Sequence, residues 1–337
     1  MADRILSNQK GLALLITVTT LSLLVALTVQ FHKTTWHKFL VSHNYKVKNQ
    51  LHAAAVSGVN IGAAVLEADG KAADADTLLD QWAVFSEEDF TGMFSSASLE
   101  LHVTDLSGKM QVNSLVPKAG GGDKNDENPA EVLQDALVAL MLSGGFPIED
   151  EEEAQAIVDA LVDWVDEDDR ESGQGAESSY YQSLDRPYSC RNGPIQYIEE
   201  LLLVKGITPE LFYGKEEEGG LINFLTVYGD DGKININTAQ PLLVQSLDGA
   251  ITKEILEAFK EYREDTDKEE ELSSVSWYTN VDGWPGDIVL NEKIIAVQSS
   301  YFQVESIGFL DSRTRRLVVD LQRTEGGDVV VLRKSVK

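Results

Sequence analysis

The stretch "LSNQKGLALLITVTTLSLLVALTVQF", Leu6 to Phe31, decides how the rest of this 337-residue chain is read. No charged side chain occurs from Gly11 to Phe31, and Lys10 stands immediately before that run. As a helix, the 20 residues Leu12–Phe31 extend about 30 Å, the thickness of a bilayer's hydrocarbon core. A cleaved secretory signal has an apolar core of roughly 7–15 residues and a small-x-small cleavage site. Here the run is longer and no Ala-x-Ala follows it closely. Arg4 and Lys10 before the run are balanced by Lys33, Lys38, Lys46 and Lys48 after it, so charge alone does not orient the helix.

The segment that follows, residues 32–68, carries spaced apolar positions at Trp36, Phe39, Leu40, Tyr45, Val47 and Leu51. No proline occurs before Pro117, and only Gly58 and Gly62 interrupt the stretch between Gly11 and Gly70. That pattern predicts helix continuing to about Ala68 with one packed face, roughly 85 Å in all, of which a third would lie in lipid.

A polar leader ending in "QKG", joined directly to an apolar helix by "LALL", resembles a type IV prepilin leader. The resemblance implies a membrane peptidase that cuts between Gly11 and Leu12, methylation of the new terminus, and retention of the helix for packing in a filament core. Most such proteins have glutamate at the fifth mature position, where this chain has Ile16. Its absence resembles the minor pseudopilin K subunits of type II secretion systems. A carboxylate at membrane depth is costly unless paired, and a subunit with no neighbour above it has no terminal amine to pair with. Ile16 therefore fits a terminal place in a filament, with simple drift to a generic apolar residue as the alternative.

The formal net charge of −28 is unevenly spread: residues 1–11 carry +1, residues 12–68 carry +3, and residues 69–337 hold −32. A body that acidic repels phosphate backbones and anionic headgroups, which argues against nucleic-acid or peripheral membrane binding and suits a solvated extracytoplasmic domain or one that holds cations. The lone Cys190 allows no intrachain disulfide and leaves the redox compartment open. Histidine occurs only at 32, 37, 43, 52 and 102, so the last 235 residues hold neither a histidine triad nor a histidine metal site. With no Walker loop or recognisable catalytic carboxylate pair, no enzyme is expected.

Along the body, residues 75–94 read as a short amphipathic helix or turn, and Ser98–Leu115 ("SLELHVTDLSGKMQVNSL") alternates around a Ser-Gly turn as a hairpin would. Pro117–Pro129 is a glycine-rich polar linker, after which helical patterns dominate. "DGKININT" at Asp231–Thr238 aligns without gaps with "SGKMQVNS" at Ser107–Ser114. The end, "SSYFQVESIGFL", "TRRLVVDLQR" and "DVVVLRKSV", predicts a three-stranded antiparallel meander. The fold expected is α+β: a pilin-like long N-terminal helix plus antiparallel sheet, interrupted by a large, mainly α-helical, SAM- and helix-hairpin-helix-like insertion. The units are a leader at 1–11, the long helix at 12–68 with 12–31 transmembrane, the first part of the pilin-like domain at 69–116, the insertion at 117–297 and the final strands at 298–337. The segments Asp163–Tyr181, Glu199–Ile207 and Ile234–Leu247 also resemble helical-domain patterns of the K family.

Two constellations stand out. In "DEDDRESGQGAE", Asp166, Asp168 and Glu177 fall on the first, third and twelfth positions of a calcium loop, but Arg170 and Glu171 occupy the places of an oxygen ligand and a glycine, so an EF-hand is disfavoured. A non-EF calcium site is expected, as the K-family resemblance implies, on Asp166, Asp168 and Glu177 with Asp163 and Asp169 next in line; a solvated acidic loop is the alternative. The second, Ile234–Asp265, resembles a helix-hairpin-helix module. Its hairpin "SLDGAI" lacks the second glycine of DNA-binding versions and adds Asp248, which favours packing over DNA.

The reading implied is a minor pseudopilin of the K type, starting and capping a pseudopilus. It would be single-pass in a bacterial inner membrane with its body in the periplasm. Its partners would be minor pseudopilins of the I and J types, the major pseudopilin, prepilin peptidase and the inner-membrane assembly platform. A membrane-tethered DNA receptor and a minor pilin of a type IV pilus are the alternatives.

Overall fold

A computed structural model describes residues 9–86, 90, 92–94, 97–117, 128–215 and 218–336. Residues 1–8 of the expected leader and 118–127 of the expected linker lie outside the described residues.

Helix α1, Gln9–Asp69, runs unbroken for 61 residues, about 90 Å. Its first half is an apolar rod against which nothing packs: Leu12, Leu21 and Phe31 are 63%, 63% and 73% exposed. The threonines in it are self-satisfied, since Thr17, Thr19, Thr20 and Thr28 donate to carbonyls three or four residues back at 2.8–2.9 Å. A hydrocarbon environment requires that economy, because it offers no other acceptor. From Val47 onward the helix changes character, and Val47, Leu51, Ala54, Ala55, Val59 and Leu66 are buried.

They are buried against a four-stranded antiparallel sheet of β1 (Ser98–Asp105), β2 (Tyr301–Leu310), β3 (Arg313–Arg323) and β4 (Val329–Val336), in that spatial order. Alternate residues Phe302, Val304, Leu317, Val319 and Leu321 form its inner face. The contact is close enough to need glycine: a Cβ on Gly58 would fall on Ser306 Oγ, and one on Gly308 would fall on the carbonyl of Leu51. The strands alternate because one face is covered by α1, which fixes register as firmly as the hydrogen bonds do.

β1 and β2 are neighbours in space but not in sequence. Leu106 N donates to Tyr301 O at 2.8 Å, and everything between leaves the sheet. That excursion contains α2 (Pro129–Met141), α3 (Glu151–Val165) and α4 (Lys253–Glu264), joined by short helical turns. It encloses its own core, with Leu133, Leu137, Leu161, Trp164, Phe259 and Trp277 almost wholly buried. The molecule is thus α+β with two separate cores.

A buried polar knot ties them together. Asp105 Oδ1 accepts from Ser107 N at 2.7 Å, and its Oδ2 accepts from Thr238 Oγ1 and Ser299 Oγ at 2.5 Å and from Asn235 Nδ2 at 3.2 Å. These partners come from both chain crossings and from the helical unit. Burial pushes the Asp105 carboxyl up to about 6 despite those donors.

Of the short amphipathic helix or turn expected within 75–94, the described residues show the turn, where Asp80 accepts from Thr77 N, Thr77 Oγ1 and Trp82 Nε1. Other sequence expectations are corrected. The hairpin expected across Ser98–Leu115 does not close. Met110–Gln111 pairs in parallel with Leu225–Thr226, and Met110, Val112 and Leu115 belong to the helical core. The chain therefore passes from one core to the other near Leu106, upstream of the boundary expected at 117. The aligned repeat at Asp231–Thr238 likewise gives only Ile234–Asn235, paired in parallel with Ile295–Ala296. In both cases the apolar residues enter the helical core while Gln111, Asn235 and Asn237 between them are buried and hydrogen-bonded, so alternation appears without a long ladder.

Candidate metal centre

Helix α3 starts on Asp150, whose side chain accepts from Glu153 N at 2.9 Å, and its first turn is acidic, as the helix dipole favours. Its apolar face, with Ala154, Ile157, Leu161 and Trp164, anchors it in the core. Asp163 lies on that buried side and Asp166 closes the helix. The chain then loops back so that Glu177 arrives beside them, with Asp163 and Glu177 0% and 2% exposed.

Carboxylate oxygens of Asp163, Asp166 and Glu177 lie within 4.8 Å of one another. Asp163 Oδ1 is spoken for, accepting from Ser172 N at 2.9 Å. Asp163 Oδ2, Asp166 Oδ1 and both Glu177 oxygens are buried with no hydrogen-bond donor. Such atoms cost free energy unless a charge or donor meets them. Burial first, and then the charges of Asp163, Asp166 and Asp169, push Glu177 up to about 7. Burial also raises Asp163 and Asp166 above the ordinary carboxylate range. Space is kept over the group by glycine, since a Cβ on Gly175 would fall on Asp163 Oδ2. Gly173, at φ +50°, makes the turn that lets Gln174 N donate to Asp159 Oδ2 at 2.8 Å. Four partnerless oxygens on three converging carboxylates, with no nitrogen or sulfur donor among them, fit a hard divalent cation such as calcium.

Of the five residues expected from sequence, the structure brings together Asp163, Asp166 and Glu177. Asp168 and Asp169 are exposed and shape the loop instead: Asp168 Oδ1 accepts from Arg170 N at 2.9 Å, and Asp169 Oδ1 accepts from Asn192 Nδ2 at 3.1 Å. Asn192 was not legible as a site residue. It sits at φ +48° before Gly193, ties itself to the carbonyl of Asp168 at 2.8 Å, and leaves its Oδ1 buried and partnerless. Its Asn-Gly dipeptide signals only a turn.

A second acidic triad, Asp69, Asp76 and Asp80, also converges, but it encloses Arg323. The guanidinium donates to Asp69 Oδ2 at 3.0 Å, to Asp76 Oδ1 at 2.6 Å and to the carbonyl of Ser299 at 2.8 Å.

The helix-hairpin-helix-like segment is built from Pro241–Ser246 and α4. At its hairpin, Asp248 Oδ1 accepts from Ala250 N at 2.9 Å and Asp248 O accepts from Ile251 N at 3.1 Å. Two of the hairpin amides, Ala250 N and Ile251 N, are thus engaged by Asp248 rather than left for a phosphate. Arg263 points inward, donating to Ala239 O at 2.6 Å. Gly11, Leu12 and Ile16 lie in the exposed first turns of α1.

Residues 108–214 match the family model described as type II secretion system (T2SS), protein K. A type II secretion system protein K from Aeromonas hydrophila is 28% identical over 347 aligned residues, spanning 97% of both chains. That from Pectobacterium carotovorum subsp. carotovorum is 26% identical over 213, spanning 61% of each. A chain of the crystal structure of the GspK–GspI–GspJ complex from enterotoxigenic Escherichia coli shares the fold, with a TM-score of 0.65 at 17% identity over 88% of this chain and 99% of that one. Residues 108–214 thus carry the match to the type II secretion system protein K family, and beyond them the chain is similar to a protein K end to end and shares the fold of a GspK–GspI–GspJ chain.

Proposed function

We propose that this chain is a minor pseudopilin of a type II secretion pseudopilus, a structural subunit rather than a catalyst. The observation that carries the reading is the divided helix α1. Its first half is a bare apolar rod of membrane length, and its second half is clamped to a sheet that also carries a bulky helical unit. Such a rod docks sideways with like rods, and the GspK–GspI–GspJ complex of the relative supports partners of the I and J types. The helical unit covers the end of the assembly, so the subunit starts and caps it. Cleavage between Gly11 and Leu12 readies the rod, and Ile16 leaves it without a carboxylate to pair. The body lies in the periplasm.

Calcium held by Asp163, Asp166 and Glu177 would neutralise the crowded charge and fix the 166–177 loop against α3. Asn192, whose side-chain amide donates to Asp168 O and Asp169 Oδ1, ties that loop from the other side. Support comes from the four partnerless oxygens and the gap kept by Gly175.

The test is N-terminal sequencing and co-purification from membranes of cells holding the peptidase and the I- and J-type subunits. A terminus at Leu12 and a stable ternary complex are expected. An intact Met1, or a chain recovered alone, overturns the reading. The DNA-receptor alternative is disfavoured by the engaged hairpin amides, and a salt-titrated binding assay separates it.

A further inference from the structure

β4 ends the sheet among the described residues, and a strand in that place presents a row of backbone N–H and C=O groups to whatever lies beside it. Its two faces differ. Val331, Lys334 and Val336 pair across to Leu321, Val319 and Leu317, so they lie on the side of α1 but beyond its cover, with Val331 59% and Val336 44% exposed. Arg333 and Ser335 pair across to Asp320 and Val318 on the opposite face. There they border a cleft of about 280 Å³ between the sheet and the helical unit, which also holds Lys109 and Arg316.

Charge marks this edge out. Residues 298–337 carry seven basic and five acidic side chains, net +2, whereas residues 69–297 carry fifteen and forty-nine, net −34. Within the cleft, Asp320 is engaged by Tyr228 and Gln303 at 2.8 Å each, and Glu305 by Arg316 at 3.2 Å. Arg333 meets Glu199 only at 3.5 Å. Lys109 gives one N–H to the carbonyl of Ile222 at 3.0 Å, and burial lowers it to about 8.

We propose that β4 receives an extended, acidic segment of a partner polypeptide, added to the sheet as a fifth strand. Main-chain hydrogen bonds supply affinity, and alternate side chains supply selectivity. One set of the partner's side chains is apolar and lies on Val331 and Val336; the other is carboxylate and enters the cleft toward Arg333 and Lys109. A second copy of this chain does not suit the same edge. Two-fold pairing would set the basic Arg333 and Lys334 of one chain beside those of the other. The edge is therefore closed to self-association and open to an oppositely charged strand.

The proposal is independent of membrane assembly and is tested on the full chain in detergent micelles. The probe is a fluorescent nine-residue peptide, Thr-Val-Asp-Val-Asp-Val-Asp-Val-Thr. Saturable binding at low salt is expected, with at least tenfold slower amide exchange across Arg333–Val336. The surface double variant Arg333→Glu, Lys334→Glu should bind it at least tenfold more weakly, and should gain affinity for the peptide with lysine in place of each aspartate. Absence of binding, binding indifferent to the charge swap, or edge protection that grows with protein concentration in the absence of peptide would overturn it. Unchanged thermal melting of the double variant shows that it is folded.

Discussion

Two triads of carboxylates lie in this molecule, and they solve the same electrostatic problem differently. Asp69, Asp76 and Asp80 gather at the end of α1 around the guanidinium of Arg323, which is supplied by β3. Asp163, Asp166 and Glu177 gather at the end of α3 with no basic side chain among them, leaving four oxygens without donors. Even with Arg323, burial and its two neighbours push Asp69 up to about 6. An internal cation thus compensates three acids only in part, and the helical unit has not even that. The lesson is that acidic density alone says little. What separates a structural clasp from a cation site is whether the fold delivers its own counter-charge.

The largest effect should come from removing the clasp. Arg323→Ala leaves the buried Asp76 uncompensated and should cost about 3–5 kcal/mol in denaturant unfolding, with the response to calcium unchanged. Next is calcium itself: at a hundred times its dissociation constant it should stabilise by about 2.7 kcal/mol, and a chelator should remove that gain. Gly175→Val, which fills the space over Asp163, should abolish the calcium response. A melting temperature indifferent to calcium would reduce the α3 triad to an acidic loop.

A third test concerns pH without divalent ions. Asp105 titrates near 6 in the fold and near 3.8 when exposed, so the folded state holds its proton more tightly. Its contribution is then greatest below about pH 4 and is lost as pH rises to about 6, giving a urea midpoint that falls over that window. Asp105→Asn should flatten that slope while costing about 1–3 kcal/mol, because its amide would face the donors of Thr238 and Ser299. The smallest effect sharpens the comparison most. In chelator, Glu177→Gln should stabilise by under about 1 kcal/mol, whereas Asp76→Asn should destabilise, since only Asp76 has a cation to lose.

Much of the architecture could be read from the chain. α1 was legible because an uncharged run and a spaced apolar face need no knowledge of the rest of the protein. The strands β2 and β3 were legible because one covered face imposes alternation. Met110–Gln111 misled because alternation does not say what covers each side: Met110 enters the helical core and Gln111, equally buried, is held by Asp231 and Lys233 rather than by solvent. At the α3 triad, the crowding of acids was visible but not their aim. Asp163 converges because α3 turns it toward Glu177, whereas Asp168 and Asp169 spend their oxygens on the turn itself. Asn192 joins them only through a fold-back that local sequence does not encode.

The 2.8 Å contact between Leu106 and Tyr301 has a practical corollary. Where the two crossings lie that close, the whole helical unit hangs from the sheet like a pendant on a clasp, and a short reverse turn could bridge the gap in its stead. The slender remainder would keep α1 and all four strands, so heads of different bulk could be exchanged on one unchanging shaft.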